Sequence, residues 1–69
     1  MSHQTLPPRT ILLVEDHDDV RQGLVRALRD DGYHVIEARD GELALSVLAT
    51  GLRVDLVVTD IVMPNMGGL

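Results

Sequence analysis

The chain has 69 residues and no cysteine, so it forms at most one small domain and cannot stabilise that domain with a disulfide. Its formal net charge is -5; all six basic residues are arginine, and a single tyrosine is the only aromatic residue. This composition argues against a nucleic-acid surface, which needs clustered cations or stacking rings, and the chain contains no apolar run long enough to span a membrane.

The first nine residues are predicted to form a flexible leader. Two prolines, Pro7 and Pro8, and their polar neighbours do not build regular secondary structure, so a single partial domain is expected over residues 10–69. The N-terminus lacks the charged and then apolar build of a secretory signal. Together with the absence of cysteine, this favours a cytoplasmic protein.

The first predicted strand is Thr10–Val14, which is apolar after its first residue. A short apolar run closed by polar residues is typical of a strand that is buried on both faces, as in a parallel sheet. Acids fill four of the next five positions: Glu15, Asp16, Asp18 and Asp19. A solvated face is the ordinary interpretation of such a run, but its position directly after a buried strand favours a site.

A first helix is predicted to begin near Asp19, with Asp18 or His17 as its N-cap, and to end before Gly32 in the C′ position. Apolar residues at helical spacing predict its buried stripe: Val20, Leu24, Ala27 and Leu28. Polar residues are expected on the opposite side of this helix: Arg21, Gln22, Arg26 and Arg29.

The second predicted strand, Tyr33–Ala38, mixes polar and apolar residues, which places it near an edge of the sheet. A second helix is predicted to start at Asp40–Gly41 and to end at Gly51, and a third strand, Val54–Asp60, is predicted to be buried on both faces. Strands that alternate with helices indicate an α/β fold with a parallel sheet, here in the order β-α-β-α-β. Right-handed crossovers then place the helices on the faces of the sheet.

Acids are expected to converge at the carboxyl ends of the parallel strands. Because parallel strands end on the same side, Glu15 and Asp16 should lie near Asp60. Three carboxylates repel one another unless a cation intervenes, and Mg²⁺ prefers one or two carboxylates together with water and a phosphate oxygen. A carboxylate at such a site can attack phosphorus and form an aspartyl-phosphate. Helix capping and solvation are the structural alternative for these acids.

Three segments of the chain resemble the receiver domain of two-component response regulators. They are ILLVEDHDDVR (Ile11–Arg21), GYHVIEARDGELAL (Gly32–Leu45) and DLVVTDIVMPNMGG (Asp55–Gly68). The resemblance implies a flavodoxin-like fold with five βα units and strand order 2-1-3-4-5. This chain contains two units and the third strand, so a truncated sheet of order 2-1-3 is expected.

The resemblance also implies roles for particular residues. Asp60 would be the phosphoacceptor, Asp16 a direct Mg²⁺ ligand and Glu15 a partner acid acting through water, and Val62 would offer its backbone carbonyl to the metal. A histidine kinase or a phosphotransfer protein would supply the phosphoryl group. Such a domain assists its own phosphorylation and is not a conventional turnover enzyme.

The sequence departs from the family pattern at several points. Gly67 stands where the family most often has an aspartate, which is expected to alter the loop rather than to abolish phosphorylation. The family's Ser/Thr after strand four and its lysine after strand five lie beyond Leu69, and the chain has no lysine of its own. The cation that grips the phosphoryl group therefore cannot come from these 69 residues.

A second hypothesis makes the chain a homo-association module without phosphotransfer. The third strand would then be an exposed apolar edge, and such an edge invites pairing with another chain. Two copies joined at this strand across a two-fold axis would form a continuous six-stranded sheet. A homodimer is expected on this ground.

Other residues are assigned structural roles. His17 is expected to be an exposed residue at the helix start rather than a contact of the metal pocket, and Arg21 a solvated helix residue rather than a partner of the acids. Asp55 is expected to begin the third strand or to cap a turn. Strand structure or loop packing is expected for the remaining candidates: His34, Met63, Pro64 and Met66.

Overall fold

The computed structural model describes residues 7–59, while residues 1–6 and 60–69 lie outside the described part. The described elements follow the predicted order, with bounds β1 (Thr10–Val14), α1 (Asp18–Asp30), β2 (His34–Ala38), α2 (Gly41–Ala49) and β3 (Leu56–Thr59). The prediction of an α/β chain with the order β-α-β-α-β is therefore confirmed. β2 begins one residue later than predicted, and β3 begins two residues later.

The three strands form one parallel sheet in the order β2-β1-β3. This arrangement confirms the expected strand order and the edge position of β2. The chain moves outward from β1 to β2 and then back across β1 to β3. Because parallel crossovers are right-handed, this reversal places α1 and α2 on opposite faces of the sheet.

The core lies on both faces of the central strand. Alternate residues of β1 point to opposite faces of the sheet, so each helix packs against a different face of this strand. The buried cluster on the α1 side comprises Leu13, Val25 and Val35. The buried cluster on the α2 side comprises Leu12, Val14, Ala38 and Ala44. β1 is thus buried on both faces, as predicted.

Glycine ends both helices at the predicted positions. Gly32 has a φ of 95° and its N–H donates to the carbonyl of Arg29 at 2.9 Å, while the N–H of Tyr33 donates to the carbonyl of Leu28 at 3.1 Å. These two bonds form a Schellman motif, which satisfies carbonyls at the helix end and needs a residue that adopts positive φ. Gly51, with a φ of 82°, follows α2, and its N–H donates to the carbonyl of Leu48 at 3.2 Å.

The two helices start differently. Asp40 caps α2 with its side chain, which accepts a hydrogen bond from the N–H of Leu43 at 2.8 Å. His17 occupies the N-cap position of α1, but its side chain makes no capping hydrogen bond. Within residues 7–59, neither helix has the length and apolar character that crossing a membrane requires.

The buried face of α1 differs from the predicted stripe. Val25 is the buried residue of the helix and Leu28 is half-buried, whereas Val20 and Leu24 are 49% and 40% exposed. Ala27 is exposed as well. The prediction was wrong because the face that packs on the sheet runs through positions 21, 25 and 28. It is rotated by about one residue from the predicted stripe through positions 20, 24 and 27.

β3 does not have the burial that its apolar sequence predicted. Leu56, Val57 and Val58 are 55%, 44% and 37% exposed. In the described part of the chain, both helices pack over β1 and β2 and leave β3 uncovered. The prediction of a strand buried on both faces is therefore wrong for the described structure, in which β3 is an exposed apolar edge.

Candidate acidic site at the carboxyl edge of the sheet

The candidate site lies where the chain leaves the carboxyl end of β1. Val14 pairs with Ala38 of β2 and with Thr59 of β3, so the three strands end side by side. Glu15 follows Val14, and its N–H donates to the carbonyl of Ala38 at 3.0 Å. In open parallel sheets, ligands bind in the crevice beyond the strand ends where the chain reverses direction across the sheet, which here is between β1 and β3.

Glu15 is a buried acid held in place by the residue two positions after it. It is 7% exposed and is the single buried charged residue in the described range. Its Oε2 accepts a hydrogen bond from the backbone N–H of His17 at 3.0 Å and lies 2.8 Å from His17 Nδ1. The backbone bond first, and the side-chain bond second, lower the pKa of Glu15 below its ordinary value, so the carboxylate is ionised at neutral pH.

His17 contacts both acids of the predicted metal site. Its Nδ1 lies 2.8 Å from Glu15 Oε2 and 3.0 Å from Asp16 Oδ1, and the His17 side chain remains 71% exposed. The expected exposed position at the helix start is confirmed, yet the imidazole also contacts the acid pocket, which was the less favoured interpretation. The sequence signal for this contact was the position of His17, directly after the two acids that follow a buried strand.

Glu15, Asp16 and His17 form a compact donor set. Each offers one ligand atom, and the three atoms lie within 4.8 Å of one another. Glu15 is buried whereas the Asp16 side chain is 42% exposed, so the set combines a fixed carboxylate with one that is open to solvent. Two carboxylate oxygens suit a hard divalent cation, so the described residues fit the predicted Mg²⁺ chemistry.

Arg21 is not the solvated helix residue that was predicted. Its side chain is 14% exposed and contacts three parts of the chain. Nη2 lies 2.5 Å from Asp18 Oδ1, Nε lies 3.3 Å from Glu37 Oε1 in β2, and Nη1 donates to the carbonyl of Glu15 at 2.9 Å. The carboxylates of Asp18 and Glu37 raise the pKa of Arg21 above its ordinary value. Arg21 therefore positions the backbone of the acid site.

Asp55 lies at the opposite end of the strands from the acid site, beside the first residue of β1. Its N–H donates to the carbonyl of Thr10 at 2.8 Å, and its Oδ2 accepts from the N–H of Thr10 at 2.7 Å. The backbone bond from Thr10, followed by the charges of Arg53 and Arg9, lowers the pKa of Asp55. Asp55 was expected to begin the third strand or to cap a turn; it lies directly before β3, and this pair of bonds ties the start of β3 to the start of β1.

The remaining predicted site residues are not part of the described structure. Asp60 and Val62 lie outside the described residues, so their roles as phosphoacceptor and carbonyl ligand stay predictions. The predictions for Met63, Pro64, Met66 and Gly67 also fall outside this range. The structure thus brings Glu15 and Asp16 together at the expected edge, beside the last described residue of β3.

Comparison with known proteins identifies the family to which the chain belongs. Residues 11–69 match the response regulator receiver domain family. The chain belongs to this family. The match spans β1 with the acids that follow it and continues through β3 to the end of the sequence. The resemblance inferred from the three sequence segments is confirmed, and the parallel sheet of order β2-β1-β3 is that of a flavodoxin-like receiver domain.

Relatives include both response regulators and kinases. The receiver domain is 55% identical over 60 residues to the sensor kinase CckA of Brucella abortus (strain 2308), an overlap of 86% of this chain and 6% of that protein. It is 45% identical over 62 residues to the response regulator MprA of Mycolicibacterium vanbaalenii, covering 90% of this chain and 26% of that protein. It is 41% identical over 61 residues to the autoinducer sensor kinase/phosphatase CqsS of Vibrio cholerae, covering 88% of this chain and 9% of that protein.

The chain therefore spans only a small part of these relatives, from 6% to 26% of their length. What the whole proteins do in their cells is a property of those longer chains. No solved structure matches the chain.

Proposed function

We propose that this receiver domain accepts a phosphoryl group on Asp60 as part of a two-component phosphorelay. The observation that carries the proposal is the placement of Glu15 and Asp16 beside the carboxyl end of β3. Thr59 pairs with Val14, and Asp60 and Glu15 are the next residues in sequence after this pair. Successive Cα atoms are 3.8 Å apart, so we expect Asp60 to lie within reach of the acids.

A divalent cation, Mg²⁺ in the first instance, is proposed at the acid pair. Asp16 would bind it directly through its solvent-open carboxylate, and Glu15 would act through water because its Oε2 already accepts from His17. Val62 would contribute its backbone carbonyl. When bound, the ion supplies positive charge that offsets the negative charges of the acids and of the phosphoryl group.

The proposed donor is the phosphohistidine of a histidine kinase or a phosphotransfer protein. A carboxylate oxygen of Asp60 attacks phosphorus, the phosphorus–nitrogen bond of the donor breaks, and the imidazole of the donor leaves. The similarity to CckA and CqsS, which are named as sensor kinases, supports a partner of this class. The domain acts here as a phosphoacceptor that assists its own modification, not as an enzyme that turns over.

We also propose that the domain is cytoplasmic and that it forms a homodimer by pairing along β3. The absence of cysteine among the 69 residues suits a reducing compartment, and the exposed apolar edge of β3 suits pairing between copies. The alternative that the chain is only an association module is not favoured, because the family match extends through the segment that contains Asp60.

A titration with Mg²⁺ and beryllofluoride, a mimic of the phosphoryl group, tests the proposal. Amide NMR shifts of residues around the carboxyl ends of β1 and β3 should saturate in the unmodified chain and disappear in Asp60→Asn. Asp31→Asn, which removes an exposed carboxylate after α1, is the matched control and should respond normally. A response that survives Asp60→Asn, or the absence of any response in the unmodified chain, would overturn the proposal.

A further inference from the structure

His17 is placed by the backbone to share the acid pocket. It is the N-cap of α1, and its own N–H is held by Glu15 Oε2 at 3.0 Å, so the ring projects from a fixed point. The side chain is 71% exposed, which leaves the ring open to an ion that enters from solvent. The imidazole is not required for helix capping, since it makes no capping hydrogen bond.

The spacing of His17 Nδ1 and Asp16 Oδ1 suits two direct ligands of one octahedral ion. Ligands on neighbouring corners of an octahedron with bonds of about 2.1 Å lie about 3.0 Å apart. His17 Nδ1 lies 3.0 Å from Oδ1 of Asp16, the carboxylate proposed to bind the ion directly. It lies 2.8 Å from Oε2 of Glu15, which would act through water. These separations also suit hydrogen bonds from Nδ1–H, so an ion would exchange for that proton. The neutral tautomer with its proton on Nε2 presents a lone pair on Nδ1.

We propose that His17 is a protein ligand of the divalent ion and shifts the preference of this site from Mg²⁺ toward Mn²⁺. The inference rests on the acid site of the proposed function and adds a determinant of metal choice. Mg²⁺ favours an all-oxygen shell, whereas imidazole is a common ligand of transition-metal ions. Mn²⁺ shares the octahedral, carboxylate-rich chemistry of Mg²⁺ and is the probe that separates the contribution of the nitrogen.

Pulsed electron paramagnetic resonance of the Mn²⁺-loaded chain reads the nitrogen directly. Bound Mn²⁺ should show coupling to a ¹⁴N nucleus, and this coupling should disappear in His17→Ala and His17→Asn. His34→Ala is the matched control, because His34 begins β2 and so lies at the opposite end of the strands from the acids. Loss of the coupling in the control but not in the two His17 variants, or bound Mn²⁺ without nitrogen coupling, would overturn the inference.

Calorimetry with Mn²⁺ and Mg²⁺ measures the preference. We expect His17→Asn to weaken Mn²⁺ binding by about tenfold or more and Mg²⁺ binding by less than about threefold. Equal losses for both ions would indicate that His17 only positions the acids, and unchanged affinities would show that it is not a ligand; either result overturns the inference. If His17→Asn still responds to Mg²⁺ with beryllofluoride, the proposed function stands whichever result is obtained for His17.

Discussion

Arg21 connects three parts of the chain through one guanidinium group. It joins the first turn of α1, the edge strand β2 and the carbonyl of Glu15, from a side chain that is mostly shielded from solvent. The planar fork of arginine can make these contacts together, whereas the point charge of lysine cannot. Arg21 is therefore a positioning residue of the acid site, although it does not belong to the donor set.

Arg21→Ala should destabilise the fold by about 1–2 kcal/mol, because it removes hydrogen bonds from a charged donor and leaves Glu37 without its partner. Arg21→Lys should recover only part of this loss. Arg26→Ala, on an exposed position of the same helix, should change the free energy of unfolding by less than about 0.5 kcal/mol. Urea unfolding followed by circular dichroism measures all three, and equal effects of the two alanine variants would contradict the role of Arg21.

The contacts of individual side chains were the part that sequence could not supply. The pair between Arg21 and Glu37 joins residues 16 positions apart, and helical periodicity says nothing about such a pair. The apolar residues Val20 and Leu24 suggested a buried face that the helix does not use. By contrast, Glu15 and Asp16 could be located from sequence, because acids directly after a buried parallel strand must lie at its carboxyl end.

At the scale of elements, helix ends are encoded locally and were predicted correctly. Gly32 and Gly51 each follow a helix with positive φ, and Asp40 caps the start of α2. These signals depend on residues within one turn of each other, so they survive without knowledge of the tertiary structure. The burial of a strand is different, since β3 has the apolar sequence of a central strand but lies at an edge in the described part.

Replacement of two glycines in the α1 region by alanine should change the stability of the fold in opposite directions. Gly32→Ala places a Cβ on a residue with a φ of 95° and should destabilise the fold by about 1–2 kcal/mol. Gly23→Ala lies inside the helix with open space around the added Cβ and should stabilise it by about 0.5–1 kcal/mol. Thermal unfolding of both variants checks the pair, and a change of the same sign in both would contradict the Schellman end.

The link between β3 and β1 through Asp55 should depend on pH. The folded-state pKa of Asp55 lies below its ordinary value of 3.8, so its contribution to stability is complete above that value and is lost as pH falls through the folded-state pKa. Asp55→Asn should lower the urea midpoint at pH 7 and reduce the loss of stability on acidification. An identical acid dependence in the variant and the unmodified chain would show that Asp55 does not contribute.

At the scale of the whole molecule, the exposed edge of β3 is the basis for the predicted homodimer. Light scattering should report a dimer, and Val57→Lys should shift it toward monomer because a charge on an edge strand opposes pairing. Leu45→Lys is the matched control, since Leu45 is 63% exposed on α2 and not on β3. A folded monomer in the unmodified chain, or equal effects of both lysine variants, would contradict pairing along β3.

The phosphoacceptor role of Asp60 is the central proposal for this domain. The proposed site joins the carboxyl ends of β1 and β3, which are distant in sequence. The most direct measurement is borohydride trapping after incubation with acetyl phosphate and Mg²⁺, since borohydride reduces an aspartyl-phosphate to homoserine, which mass spectrometry can locate. We predict homoserine at position 60, dependent on the divalent ion and diminished in Asp16→Asn. Homoserine at another acid, or at none, would contradict the account.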